Sequence, residues 1–102
     1  AKAQGLDTVA WETSYKQTAL RKKAKVCAML ADSYGLQLEF RKAVSVLKEA
    51  VRIEPENADY LCKLATAQAA SGDIEGARRT FQKCLKADPE NEKAAQGLKD
   101  LK

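Results

Sequence analysis

The chain has 102 residues, enough for one domain with a modest core but too few for a catalytic domain joined to a cofactor domain. Its composition, 45% hydrophobic and 31% charged, is typical of a globular protein, and its apolar runs are too short to span a bilayer. The net charge of +4 is concentrated in residues 1–23, which carry five basic and two acidic side chains, whereas residues 24–102 carry thirteen and twelve.

Residues 1–23 are predicted to form an N-terminal helical extension. Helical periodicity covers residues 6–22, and no turn signal interrupts residues 20–25, so the segment either runs on into the next helix or packs as an extra helix. Trp11 and Tyr15 lie one turn apart. We expect this aromatic pair either to pack against the chain's own core or to form a surface for a partner or a homodimer.

A basic run follows, formed by Arg21, Lys22, Lys23 and Lys25. It could bind nucleic acid or an anionic partner, and the pairs Arg41-Lys42 and Arg78-Arg79 could extend it as a stripe. No aromatic residues are interleaved with these charges for base stacking, and a solvated helix face explains them equally well. We therefore keep an Arg21–Lys25 binding surface only as the alternative hypothesis.

An internal repeat organises the rest of the chain. The tripeptide Pro55-Glu56-Asn57 recurs as Pro89-Glu90-Asn91, 34 residues later, which aligns residues 24–57 with residues 58–91. The offset also pairs identical residues: Ala24 with Ala58, Leu30 with Leu64, Ala31 with Ala65, and Ala43 with Ala77. Each unit contains two apolar-periodic stretches of helical length, predicted at 24–36, 40–53, 58–70 and 74–87. Each unit is thus predicted to be a helical hairpin.

Capping and small residues support these hairpins. Asn57, Asp73 and Asn91 can each cap the helix that follows, and Gly72 marks a turn. Small residues such as Ala43 and Ala77 allow two helices to approach closely. The predicted core consists of Leu30, Tyr34, Leu47, Ala50 and Ile53 in the first hairpin and of Leu61, Leu64, Ile74, Phe81, Cys84 and Leu85 in the second. Residues 92–102 are predicted to form a polar capping helix that closes the array.

The two units resemble the tetratricopeptide repeat (TPR). The resemblance rests on the 34-residue period and on these residues: Leu30-Ala31, Tyr34, Ala43, Leu47, Ala50 and Pro55 in the first unit, and Leu61, Leu64-Ala65, Gly72, Ala77, Phe81 and Pro89 in the second. It implies an all-α fold, a right-handed α-α superhelix of two TPR hairpins with a C-terminal capping helix and an extra N-terminal helix. It also implies a non-catalytic scaffold, such as a co-chaperone or an assembly factor, within a larger protein or complex.

The resemblance further implies that a partner peptide or helix binds in a concave groove lined by the first helix of each hairpin. Carried onto this sequence, the partner-binding residues are Lys25, Ala28, Asp32, Leu36, Asp59, Cys62, Thr66, Ala69, Lys93 and Gln96, with Trp11 and Tyr15 as additional candidates. Some family members bind acidic C-terminal carboxylates through a clamp of lysine, asparagine and arginine. Ala28, Asp32, Cys62 and Thr66 stand in such places here, so we expect no clamp.

Catalysis is not expected. The sequence contains no histidine and shows no phosphate loop, no metal-ligand spacing and no base positioned to activate Cys62. We therefore expect no enzyme activity, no metal and no cofactor. The three cysteines, Cys27, Cys62 and Cys84, are interpreted as core thiols of a reducing, cytoplasmic compartment. Since the sequence begins with Ala1, we interpret it as a piece of a longer or processed protein.

Overall fold

A computed structural model describes the backbone of residues 2–101 and the side chains of residues 15–101. The prediction for the side chain of Trp11 therefore lies outside the described residues. Within them the fold is all-α, as predicted, with five helices in the order α1 (Lys2–Leu36), α2 (Phe40–Ile53), α3 (Ala58–Ala70), α4 (Ile74–Ala87) and α5 (Glu92–Asp100). In this part of the chain no helix is both long and apolar enough to cross a membrane.

The N-terminal extension and the first repeat helix form one continuous helix. Of the two alternatives left open by the sequence, α1 takes the first and runs without a break through residues 20–25. The physical reason is the absence of any glycine, proline or capping residue in that stretch. At 35 residues and 1.5 Å per residue, α1 is about 52 Å long. Its N-terminal half thus extends beyond the 14-residue helix α2.

The predicted caps are confirmed. The side-chain oxygen of Asn57 accepts a hydrogen bond from the Tyr60 amide at 3.1 Å, that of Asp73 from the Gly76 amide at 3.0 Å, and that of Asn91 from the Ala94 amide at 2.9 Å. Each bond satisfies a backbone donor that the first helical turn leaves without a partner. Helices α3, α4 and α5 consequently begin at the predicted positions.

The two hairpin turns have the same geometry. In the first, the Glu39 amide donates to the Tyr34 carbonyl at 2.8 Å, and in the second the Asp73 amide donates to the Gln68 carbonyl at 2.9 Å. Each turn needs one residue with a left-handed backbone, supplied by Leu38 (φ 61°) and by Gly72 (φ 97°). The 34-residue register therefore extends to the backbone conformation of the turns.

The core consists of two buried clusters, one where the first hairpin meets α3 and one within the second hairpin and against α5. The first contains Ala28, Ala31, Ala43, Leu47, Leu64 and Ala67. The second contains Leu61, Cys62, Ala65, Phe81, Cys84 and Ala94. Alanines predominate because α1 and α3 pack closely against the helices that follow them, and larger side chains would force the helices apart. Ala43 and Ala77 are buried as predicted.

The core prediction is wrong for two residues, Leu30 and Ile74, which are exposed. Leu30 is 42% exposed, whereas Leu64 at the equivalent position is buried, because α2 covers that face of α3 and no described element covers the same face of α1. Ile74 is 39% exposed because it is the first residue of α4 and lies next to the hairpin turn.

Candidate partner-binding groove

An open groove of about 490 Å³ runs between α1 and α3. Its walls are the parallel helices α1 and α3, each of which forms a hairpin with the helix that follows it. Its floor is α2, and α5 closes one end. Fourteen residues line it: Ala31, Asp32, Gly35, Leu36, Phe40, Ala43, Leu47, Asp59, Cys62, Lys63, Thr66, Ala67, Ala70 and Lys93. Hereafter "the groove" denotes this set of residues.

The groove exists because its walls are built from small residues. The side chains of Ala31 on α1 and Ala67 on α3 are too small to fill the space between these helices. Ala43 and Leu47 of α2 lie behind that space and form a buried apolar floor. The side chain of Leu36, at the C-terminal end of α1, is 88% exposed beside this floor. An apolar side chain laid in the groove would therefore remove both its own surface and that of Leu36 from water.

Charge in the groove is unevenly distributed along its length. Leu36, Phe40 and Ala70 line the end formed by the C-terminus of α1 and α3, while Asp59 and Lys93 line the opposite end. Between the ends an ion pair joins the two walls, with Lys63 Nζ 2.9 Å from Asp32 Oδ2 and 3.1 Å from Oδ1. The groove thus has an apolar end, a bridged middle and a charged end.

Cys62 lies at the boundary between the groove and the core. Its Sγ is 2.8 Å from Cys84 Sγ and 3.4 Å from Asn91 Oδ1. Burial, followed by the hydrogen bond and charge of Cys62, raises the pKa of Cys84 to about 12. Cys84 therefore carries its proton at neutral pH.

The structure brings half of the predicted partner-binding residues into the groove. These six are Asp32, Leu36, Asp59, Cys62, Thr66 and Lys93. Ala28 instead belongs to the first core cluster, because its methyl group faces α2. Lys25 and Gln96 are exposed but do not line the groove, and Ala69 is half-buried outside it. Tyr15 is exposed on the N-terminal half of α1, and Trp11 lies outside the described side chains.

Eight of the fourteen groove residues were not predicted from the sequence, three on the floor and five on the walls. The prediction assigned the groove to the first helix of each hairpin alone and so omitted Phe40, Ala43 and Leu47 of α2. The unpredicted wall residues are Ala31, Gly35, Lys63, Ala67 and Ala70. The small residues on the two facing walls, Ala31 and Ala67, were a usable signal, because a gap between two helices exposes the helix that lies behind them.

The basic residues are partly neutralised by nearby acids. Lys23 Nζ lies 3.5 Å from Glu49 Oε1 on α2. Hydrogen bonding from Arg52, together with the charges of Arg52 and Lys23, lowers the pKa of Glu49 to about 2. Glu49 is therefore ionised near neutral pH and offsets the charge of Lys23. A second cavity, of about 620 Å³, includes Arg21 but also Glu54 and Glu56.

One residue of each second-helix basic pair also contacts an acid. Lys42 pairs with Glu39 at 3.4 Å, and Arg78 pairs with Glu75. These contacts favour a solvated helix face over a nucleic-acid stripe. Among the described residues, no cluster of three or more cysteine, aspartate or glutamate side chains could hold a metal ion.

Comparison with known proteins places this fold in a family. Residues 37–101 match the tetratricopeptide repeat model, more than half of the chain, so the protein belongs to the tetratricopeptide repeat family. Among curated proteins it is similar to the probable biofilm formation methyltransferase WspC of Pseudomonas putida, with 34% identity over 65 residues. That match covers 64% of this chain but 15% of the relative, so the chain spans only a small part of that protein.

Three solved structures share the fold. The TPR domain of Sgt2 from Aspergillus fumigatus is 27% identical, with a TM-score of 0.73 over 76% of this chain and 52% of that chain. The second TPR domain of human RPAP3, in complex with the HSP70 peptide SGPTIEEVD, is 20% identical, with a TM-score of 0.74 over 78% and 66%. The first TPR of Spaghetti (RPAP3), bound to the HSP90 peptide SRMEEVD, is 16% identical, with a TM-score of 0.55 over 79% and 91%.

Proposed function

We propose that this protein is a non-catalytic interaction module that holds a segment of another protein in the groove. The observation that carries the proposal is the groove between α1 and α3, with its buried apolar floor at Ala43 and Leu47 and the exposed Leu36 beside it. Membership of the tetratricopeptide repeat family supports it. An exposed concave surface of this kind fits a peptide or helix whose side chains cover it.

The chemistry of the groove favours an amphipathic helix or an extended apolar peptide. Its apolar end would accept a large aliphatic or aromatic side chain against Phe40 and Ala70. At its charged end, Lys93 could pair with an acidic side chain of the partner and Asp59 with a basic one, and these ion pairs would orient the segment. Because Asp32 is already paired with Lys63, its carboxylate contributes less to orientation than the sequence predicted.

The same chemistry argues against the acidic peptides bound by the structural neighbours. Those peptides end in EEVD, whereas this groove balances its two lysines, Lys63 and Lys93, with Asp32 and Asp59 and so has no net positive charge. The positions expected for a carboxylate clamp hold Ala28, Cys62 and Thr66, and the Thr66 hydroxyl donates to the Cys62 carbonyl at 2.9 Å. We propose that the partner segment is apolar rather than acidic.

A matched pair of alanines allows a clean test. Ala70 is the last residue of α3 and lines the groove, whereas Ala87 is the last residue of α4 and does not; both are exposed. Peptides selected from a random display library would be measured against Ala70→Arg and Ala87→Arg. We expect Ala70→Arg to weaken binding by about tenfold or more, equivalent to at least 1.4 kcal/mol, and Ala87→Arg to leave it unchanged. Equal affinities for both variants would remove the groove assignment.

Self-association through α1 is a second proposal, supported by an exposed apolar stripe. Val26, Met29 and Leu30 are exposed on α1 at positions equivalent to Tyr60, Lys63 and Leu64, the last of which α2 covers on α3. A second copy packing on this stripe would bury it. Sedimentation velocity across a range of concentrations would test this, and we expect Met29→Lys, which introduces the residue found at position 63, to shift the protein toward monomer. A monomer at every concentration would refute self-association.

A further inference from the structure

Two buried cysteines face one another across the second hairpin. Cys62 on α3 is 6% exposed and Cys84 on α4 is fully buried, and their Sγ atoms lie 2.8 Å apart. This separation is well inside the usual contact distance of two sulfur atoms. The two side chains therefore already point at each other, as disulfide formation between neighbouring helices requires.

The internal repeat indicates that the second hairpin carries this pair as a specific feature. In the 34-residue register, Cys62 corresponds to Ala28 and Cys84 to Ala50, and both alanines are buried. The first hairpin therefore satisfies the same packing with two alanines. A hairpin of this fold can thus be built with alanine at both positions, and the second hairpin carries thiols there instead.

The two thiols differ in their access to solvent. Cys62 lines the groove and is 6% exposed, so it is the thiol of the pair nearer to an oxidant in the groove. Cys84 lies behind it and donates to the Ala58 carbonyl at 3.2 Å. Cys27, the third cysteine, is on α1 and is half-buried. The arrangement places one reachable thiol in front of one protected thiol.

We propose that Cys62 and Cys84 are a redox site, in which a hydroperoxide entering the groove converts the two thiols into a reversible disulfide that joins α3 to α4.

The chemistry balances in two steps. Cys62 sulfur attacks one peroxide oxygen, the O–O bond breaks, a sulfenic acid forms, and the thiol proton leaves with the other oxygen as water. Cys84 sulfur then attacks Cys62 sulfur, the S–S bond forms, and the S–O bond breaks. The departing hydroxide takes the Cys84 proton and leaves as a second water. Two thiols are oxidised by two electrons in total, and one peroxide is reduced.

Proximity, not acidity, favours the second step. Burial raises the pKa of Cys84 to about 12, so little of it is thiolate at neutral pH, and its attack depends on the 2.8 Å between the two sulfur atoms. A cross-link between these positions would also close the chain through the Gly72 turn and most of α4. It would thereby restrict the unfolded chain and raise the melting temperature of the hairpin.

The test uses the full chain, reduced and then treated with hydrogen peroxide at one equivalent per protein. We expect the intact mass to fall by two hydrogen atoms. After non-reducing trypsin digestion we expect residues 53–63 to be linked to residues 84–86, the two fragments that contain Cys62 and Cys84. The melting temperature should rise by several degrees, and a dithiol should reverse both changes. A linkage to Cys27, free thiols throughout, or accumulation of sulfinic acid at Cys62 would overturn the proposal.

Two variants serve as controls. Cys84→Ala introduces the residue of the first hairpin, should fold by circular dichroism, and should stop at a sulfenic acid on Cys62 that dimedone traps. Cys27→Ser should form the cross-link at the rate of the parent protein.

A further experiment transfers the pair to the first hairpin. Ala28→Cys with Ala50→Cys, in a background of Cys62→Ala and Cys84→Ala, should create a new cross-link. Failure of dimedone to label Cys84→Ala at Cys62 would also contradict the proposed order of steps.

Discussion

Gly97 of α5 lies directly against the ring of Phe81 on α4, so that a Cβ atom added to Gly97 would sit 2.6 Å from the ring carbons Cε1 and Cε2. Phe81 is buried in the second core cluster, so its ring has little room to retreat. This contact fixes how closely α5 can approach the array. It also explains why a glycine is present inside a nine-residue helix.

The first prediction concerns this contact. We expect Gly97→Ala to destabilise the protein, because overpacking costs about 1–3 kcal/mol, and the buried ring places this site toward the upper end of that range. The roughly 1 kcal/mol by which alanine exceeds glycine in helix propensity offsets only part of the cost. Urea unfolding would measure the difference.

Gly35 is the matched control for Gly97. It also lies in a helix, but a Cβ added there would meet nothing within 4 Å. Gly35→Ala should therefore stabilise the protein by about 0.5–1 kcal/mol. Equal effects of the two substitutions would show that α5 does not pack against Phe81 as described.

The second prediction concerns the two hairpin turns. Leu38 has a φ of 61°, a conformation that costs a residue with a Cβ about 1–2 kcal/mol, and its side chain is 73% exposed. Leu38→Gly should relieve most of that cost and should lose little buried surface. Because glycine loses more conformational entropy on folding, the net stabilisation should be about 0.5–1 kcal/mol. Thermal unfolding would measure the gain.

The reverse substitution in the second turn should act oppositely. Gly72 has a φ of 97°, and Gly72→Ala should destabilise the protein by about 1 kcal/mol. Stabilisation by Gly72→Ala, or destabilisation by Leu38→Gly, would mean that the two turns do not share one backbone geometry.

The third prediction concerns the closest approach within the second hairpin. Ala77 is fully buried, and Ala77→Leu should overpack α3 against α4 and reduce the free energy of unfolding by about 1–3 kcal/mol. Ala95 is exposed on α5, and Ala95→Leu should change stability by less than about 0.5 kcal/mol. No loss in Ala77→Leu would show that the hairpin register is wrong.

The fourth prediction concerns alkaline pH under reducing conditions. Burial raises the pKa of Cys84 from 9.0 to about 12, so the protonated thiol is favoured in the folded state. Stability from this group is present below pH 9 and is lost as pH rises from 9 through 12, at a slope of up to about 1.4 kcal/mol per pH unit. Unfolding free energies measured from pH 8 to pH 10.5 should be less pH-dependent in Cys84→Ala. Identical slopes in the parent and the variant would contradict the prediction.

The sequence by itself determined the local features of this protein. The 34-residue period, the caps at Asn57, Asp73 and Asn91, and the small residues at positions 43 and 77 were sufficient to predict α2, α3 and α4 with their bounds. The caps and the apolar spacing depend on residues within one or two helical turns, and the 34-residue period is found by comparing the sequence with itself. Such short-range interactions are encoded in neighbouring positions and need no knowledge of the rest of the fold.

Only the tertiary structure decided which faces are covered. Leu30 and Leu64 are the same residue at the same repeat position, yet Leu30 is exposed and Leu64 is buried, because α2 packs on α3 and no described helix packs on the same face of α1. The floor of the groove and the facing thiols of Cys62 and Cys84 could not be predicted from the sequence for the same reason. Burial of a helix face depends on which helix lies against it, and that contact joins residues far apart in the chain.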